Sequence, residues 1–129
     1  MDAPERGLSM KVANVTLGVR LRVVLERGIA IGPGKADLLE AIAATGSIAA
    51  AARGMGMSYK RAWLLVETMN ALFRTPLVES VKGGRTGGGA RLTPLGEQVL
   101  AAYRRMERAA TKAAAPELAR LRRSLARRP

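Results

Sequence analysis

From Val15 the chain alternates: Val15, Leu17, Val19, Leu21 and Val23 fall on one side of an extended segment, with Thr16, Gly18, Arg20, Arg22 and Val24 on the other. That period of two predicts a half-buried strand. A turn around Arg27-Gly28 and a short strand, Ile29 to Ile31, follow, and Gly32-Pro33-Gly34 stops it. The period then lengthens. In "KADLLEAIAATG", Leu38, Leu39, Ile42 and Ala43 share a helical face, and Gly46 stands where a helix would end. Ser47 is placed to cap a short alanine-rich helix, "SIAAAARGMG", ended by Gly54 or Gly56. Ser58 is a further cap, opening "YKRAWLLVETMNALF".

The strand-like "LVESVKG" and "ARLT" flank a glycine-rich run, and "PLGEQVLAAYRRMERAATKAAA" returns to helical spacing, with a break predicted at Pro116. Leu95, Val99, Tyr103, Met106 and Ala110 form one stripe along this helix. Beyond Pro116, Leu118, Leu121 and Leu125 share a side among the arginines at 120, 122, 123, 127 and 128. Strand, strand, three helices, hairpin, helix is the order of a mainly α fold with a small β component: a winged helix-turn-helix followed by a long helix. The expected divisions are an N-terminal arm over 1–14, the winged helix-turn-helix with its leading strands over 15–93, the long helix over 94–115 and a basic helical tail over 116–129.

Charge narrows the partners. The 129 residues carry 22 Lys and Arg against 10 Asp and Glu, a net charge of +12, which attracts polyanions and makes nucleic acid the leading partner. Cysteine and histidine are absent, which excludes disulfides, thiolate nucleophiles, imidazole catalysis and the usual zinc sites. No metal, cofactor or enzymatic activity is expected. Without a signal-like leader or about 18 consecutive apolar residues, a cytoplasmic location and no membrane partner are expected.

The glycine run "GGRTGGGARLTPLG", residues 83–96, poses a choice between a nucleotide cradle and a hairpin tip. A phosphate-binding loop needs Lys followed by Ser or Thr at the start of a helix; here Gly89 precedes Ala90-Arg91-Leu92-Thr93. The dinucleotide fingerprint fails too, because "ARLT" reads as a strand. As a hairpin tip, the glycines reach positive φ without strain and let backbone amides approach phosphate. Lys82, Arg85 and Arg91 place positive charge there, suited to a DNA-contacting wing; a flexible loop with solvated charges is the alternative.

On a helical wheel of residues 59–73, Ala62, Leu65, Val66, Met69, Leu72 and Phe73 gather in a core-facing arc. Lys60, Leu64, Glu67 and Ala71 lie opposite, Arg61 and Thr68 on one border, and Tyr59, Trp63 and Asn70 on the other. The helix start supplies DNA chemistry: Ser58 and free amides for phosphate, Lys60 or Arg61 for guanine O6 and N7, and Tyr59 for phosphate or a thymine methyl. Packing is as good an account of Tyr59, and a core-border role at least as good a one for Trp63. Ser47 is a phosphate ligand by the same dipole argument, although capping alone explains it.

"GPGKADLLEAI", "TGSIAAAARGMGMSYKRAW", "MN" and "GGRTGGGARLTPLG" together closely resemble the N-terminal winged helix-turn-helix domain of the molybdate-responsive ModE regulators, and more remotely the DNA-binding domain of LysR-type regulators. The resemblance runs from about Leu17 to Arg108. It implies a homodimeric, sequence-specific double-stranded DNA binder that regulates transcription from a palindromic operator. The long helix and its stripe would form the dimer interface. Ser58, Tyr59, Lys60 and Arg61 match the family's reading-helix start, and Lys82 and Arg85 its wing. The family's molybdate-binding domains have no counterpart in these residues, so a stand-alone member without direct molybdate binding is expected. The competing reading is a truncated regulator acting as a protein-interaction module, for which a basic reading head has no physical use.

Overall fold

The computed structural model describes residues 18–82 and 88–126. In chain order the elements are β1 (Val23–Glu26), β2 (Ile29–Ile31), α1 (Pro33–Thr45), α2 (Ile48–Gly54), α3 (Tyr59–Leu72), β3 (Val78–Val81), β4 (Gly89–Leu92) and α4 (Pro94–Arg123). The strands make two antiparallel hairpins, β1 with β2 and β3 with β4. Val23 pairs with Ile31, and the register slips between Val24 and Glu26; in the second hairpin Val78 pairs with Leu92 and Val81 with Gly89.

The helix-end chemistry acts as the sequence implies. Gly46 ends α1 in the left-handed region at φ 73°, its amide donating to Ile42 O. Ser47 Oγ accepts from the Ala50 amide at 3.0 Å, Ser58 Oγ from the Arg61 amide at 3.1 Å, and Thr93 Oγ1 from the Gly96 amide at 3.0 Å. Each cap of this kind stabilises its helix by about 1 kcal/mol.

One core joins all the helices. Leu38, Leu39 and Ile42 of α1 meet Ala51 and Ala52 of α2, Ala62, Val66 and Met69 of α3, and Ala90 and Leu92 of β4, all buried. Full burial of each large aliphatic side chain contributes about 1.5 to 3 kcal/mol. The start of α4 presses on the chain entering β3: a Cβ at Gly96 would stand 2.1 Å from Leu77 O, so only glycine fits.

Two expectations need correction. The leading strand is far shorter than its alternation suggests: residues 18–22 are not strand, and 15–17 lie outside the described residues. Residues 18–22 lie instead against α4, where Tyr103 Oη donates to Leu21 O at 2.6 Å and the Val19 amide donates to Thr111 Oγ1 at 3.4 Å. Residues 18–21 are all half-buried and only Arg22 is exposed, so the alternation in the sequence is not matched by an alternation of burial. Second, α4 does not break at Pro116 but runs on to Arg123. Proline removes one donor to the carbonyl four residues back. Both Pro116 and that residue, Lys112, are exposed, so water can satisfy the freed carbonyl.

The stripe assigned to a dimer interface also divides. Tyr103 is completely buried within its own subunit, and Leu95 and Val99 pack on the same core. This first half of the stripe is therefore intramolecular, because α4 needs an apolar face to dock on α1. In its second half Met106 is exposed and Ala110 half-buried; beyond the stripe Leu121 and Leu125 are also exposed. An ion cluster fastens the same junction: the Arg104 guanidinium donates to Asp37, Glu40 and Glu107 at 2.8 to 2.9 Å. Burial opposes the charge on Arg104, but its hydrogen bonds to Asp37, Glu107 and Glu40 outweigh that and hold its pKa above the ordinary arginine value.

Candidate nucleic-acid interface

The tight turn between α2 and α3 decides how the second helix is presented. Gly56 takes φ 70°, and the Met57 amide donates to Ala52 O at 3.0 Å, closing the turn. Only four residues separate the two helices, and the N-terminus of α3 emerges at the surface. Ala62, Val66 and Met69 anchor α3 in the core, while Ser58, Tyr59, Lys60 and Arg61 are all exposed. The wheel assignment of its core face is therefore what the structure shows.

The β3–β4 hairpin is held beside α3 by Asn70, which accepts at Oδ1 from the amides of Leu77 and Val78 (2.8 and 3.1 Å) and donates from Nδ2 to Val78 O at 3.1 Å. One side chain thus supplies three hydrogen bonds that fix the wing on the reading helix. A second tie joins the Ala90 amide to Gly46 O at 2.9 Å, from the returning wing strand to the corner before α2.

These ties bring Ser47, Tyr59, Trp63, Ser80, Gly88 and Gly89 around a cleft of about 310 Å³ between α2, α3 and the wing base. Lys60 and Arg61 stand away from it, on the other flank of α3, beside Ser58, Leu64 and Thr68. The sequence-selected residues thus form a face with α3 at its centre: Ser47 and Tyr59 toward the wing, Lys60 and Arg61 away from it. Lys82 is exposed at the outgoing end of β3, and Arg85 lies outside the described residues. Arg91 is engaged across the hairpin, its Nε donating to Glu79 Oε2 at 2.8 Å. Among the described residues Lys60, Arg61 and Lys82 make no ion pair and keep their full charge for an anionic partner.

Two residues join the face that the wheel did not single out. Trp63, 42% exposed and otherwise covered, lies one turn after Tyr59 on the same flank and lines the cleft. Its i, i+4 relation to Tyr59 was legible; that the wing stands off and leaves it open was not. Ser80 enters because β3 turns that position toward the cleft, a matter of hairpin register. Among the described residues no cluster of acidic side chains is placed to hold a metal, and no helix is long and apolar enough to cross a membrane.

Residues 35–97 match the family described as bacterial regulatory helix-turn-helix protein, lysR family. The molybdenum-pterin-binding protein MopB of Rhodobacter capsulatus is 52% identical over 91 residues, covering 70% of this chain and 34% of its own. The molybdenum transport protein ModE of Azotobacter vinelandii is 44% identical over 88 residues, 68% of this chain and 33% of its own. The DNA-binding transcriptional dual regulator ModE of Escherichia coli K12 is 39% identical over 85 residues, 66% of this chain and 32% of its own. The chain spans about a third of the length of these curated relatives. Residues 35–97, from α1 to the start of α4, thus carry a lysR-type helix-turn-helix domain, and about two thirds of the chain is similar to the ModE and Mop proteins.

Proposed function

We propose that this chain is a sequence-specific, double-stranded DNA-binding transcriptional regulator that acts as a homodimer on a palindromic operator. The observation that carries the reading is the α3 N-terminus: Ser58, Tyr59, Lys60 and Arg61 exposed together, with uncompensated charge, beside a hairpin fixed at their flank. A helix so presented enters the major groove, where a lysine or arginine near its N-terminus donates to guanine O6 and N7. Ser47, Lys82, Arg85 and Arg91 serve as phosphate ligands along the rim. Binding rather than catalysis is the activity.

The far half of α4 and the residues just after it supply the dimer contact, with Met106, Ala110, Leu121 and Leu125 facing a second copy. A two-fold dimer places two α3 helices about one turn of DNA apart, roughly 34–36 Å, which sets the half-site spacing. Relatives named for molybdenum-pterin binding and molybdenum transport support a link of the genes it regulates to molybdenum. DNA reading by this face needs no bound oxyanion, and direct molybdate sensing is not expected.

Selection of bound fragments from a random duplex pool, at two salt concentrations and with or without molybdate, tests this. An enriched palindrome with steep salt dependence is expected, unchanged by molybdate. Salt-sensitive binding without an enriched motif would overturn the sequence-reading assignment, and a molybdate-dependent motif would overturn the absence of direct sensing.

A further inference from the structure

A second basic cleft lies on the flank of α3 that faces away from the wing. It has a volume of about 230 Å³ and is bounded by the first hairpin, the start of α1 and the side of α3, with Arg22, Lys35 and Arg61 around it. The three cations come from three different elements and converge only in the tertiary fold. None makes an ion pair among the described residues. Lys35 Nζ donates to Ala30 O at 3.1 Å, which fixes the ammonium over the hairpin while leaving two of its protons unused. Gly34 and Lys35, in the first turn of α1, also line the cleft, and the Gly32 cap supplies no side-chain acceptor to that turn. Three cationic side chains around one cleft give it a positive potential that favours an anion between them.

Its position says which anion. Arg61 belongs both to this cleft and to the exposed start of α3, so the cleft is continuous with the reading face. A duplex with α3 in its major groove has one phosphate backbone on each side of the helix. The wing and Ser47 stand on the Tyr59–Trp63 side; this cleft stands on the other.

We propose that the cleft seats a phosphate of the DNA backbone, with Arg22 and Lys35 as its ligands and Arg61 reaching from it toward the bases. The proposal rests on the DNA-reading assignment above and adds a second, base-independent anchor to it. Arg22 and Lys35 then set affinity and its salt dependence without setting sequence preference.

The test compares the unaltered chain with an Arg22→Ala/Lys35→Ala double variant. Each is titrated across salt on the duplex enriched from the random pool and on a duplex of random sequence. Loss of the seated phosphate lowers the log–log salt slope by about 0.9 on both duplexes, with the enriched motif unchanged. Arg22→Lys/Lys35→Arg should retain the slope, and equal circular dichroism and melting of all three chains shows that the fold is intact. An unaltered slope in the double variant overturns this inference alone. So does a changed motif, which would make the two residues base readers, and so does inorganic phosphate or molybdate raising the melting temperature of the unaltered chain but not the double variant while the slope stays put, which would make the cleft a small-oxyanion site. Absence of DNA binding by the unaltered chain overturns both this inference and the DNA-reading assignment.

Discussion

The amide of Ala90 donates to the carbonyl of Gly46 at 2.9 Å, so the returning strand of the wing is bonded directly to the corner from which the helix-turn-helix departs. The contact is possible because position 89 has no side chain: a Cβ there would stand 2.7 Å from that same carbonyl. Both atoms belong to backbone, so neither can swing aside. Gly89→Ala is expected to push the wing from the corner, with a loss of roughly 1 to 3 kcal/mol of stability, the usual range for a steric conflict in a packed region. Urea denaturation reads the stability, and DNA titration at conditions where the variant is folded should show affinity lost beyond that. Unchanged affinity in the folded variant would separate the wing from binding.

Asn70 is expected to be a scaffold residue despite its place on the border of the reading helix. Asn70→Ala leaves the Leu77 and Val78 amides and the Val78 carbonyl without their partner. The expected cost is about 2 to 3 kcal/mol, since unsatisfied, partly buried backbone groups lose more than the hydrogen bonds themselves contributed. Chemical denaturation checks it.

Tyr103→Phe removes the 2.6 Å hydrogen bond to Leu21 O while keeping the buried ring. A loss of about 1 to 2 kcal/mol is expected, together with a changed alkaline limb of stability. Burial, helped by the nearby Glu107 charge, raises the Tyr103 pKa above its ordinary value of 10.0. The unfolded chain therefore releases this proton first. The stabilisation is complete below about pH 10 and declines as pH rises from there through the folded value. The difference in stability between the two chains should be constant through neutral pH and shrink above pH 10.

Trp63→Ala should show the opposite balance from Asn70→Ala. With 42% of the residue exposed beside the wing cleft, its removal is expected to cost less than about 1 kcal/mol of stability. DNA affinity should fall by several-fold or more. A large drop in melting temperature with unaltered affinity would return Trp63 to a packing role.

The sequence by itself determined the local elements and the chemistry of the reading head. Ser47, Ser58 and Gly46 mark helix ends through groups within three or four residues of one another, and the α3 wheel separates Ala62, Val66 and Met69 from Lys60 and Arg61 by the helical period alone. Such signals are local, so a linear reading captures them. Alternation from Val15 was a poor guide to strand length, because a period of two marks an extended backbone and not a partner strand, and residues 18–22 are held by α4 instead. The stripe on α4 was ambiguous for a similar reason: apolar spacing says that Tyr103 is covered but not whether its own core or a second copy covers it. Pro116 was misread because the sequence does not reveal that the carbonyl it orphans is open to water. Tertiary structure alone decided that Trp63 and Ser80 share a cleft with Ser47, and that Arg22, Lys35 and Arg61 converge on another. The first group is brought together by Asn70 and Gly89 holding the wing to α3 and to the corner before α2, and the second by the packing of the first hairpin, α1 and α3; contacts between separate elements leave no period in the chain.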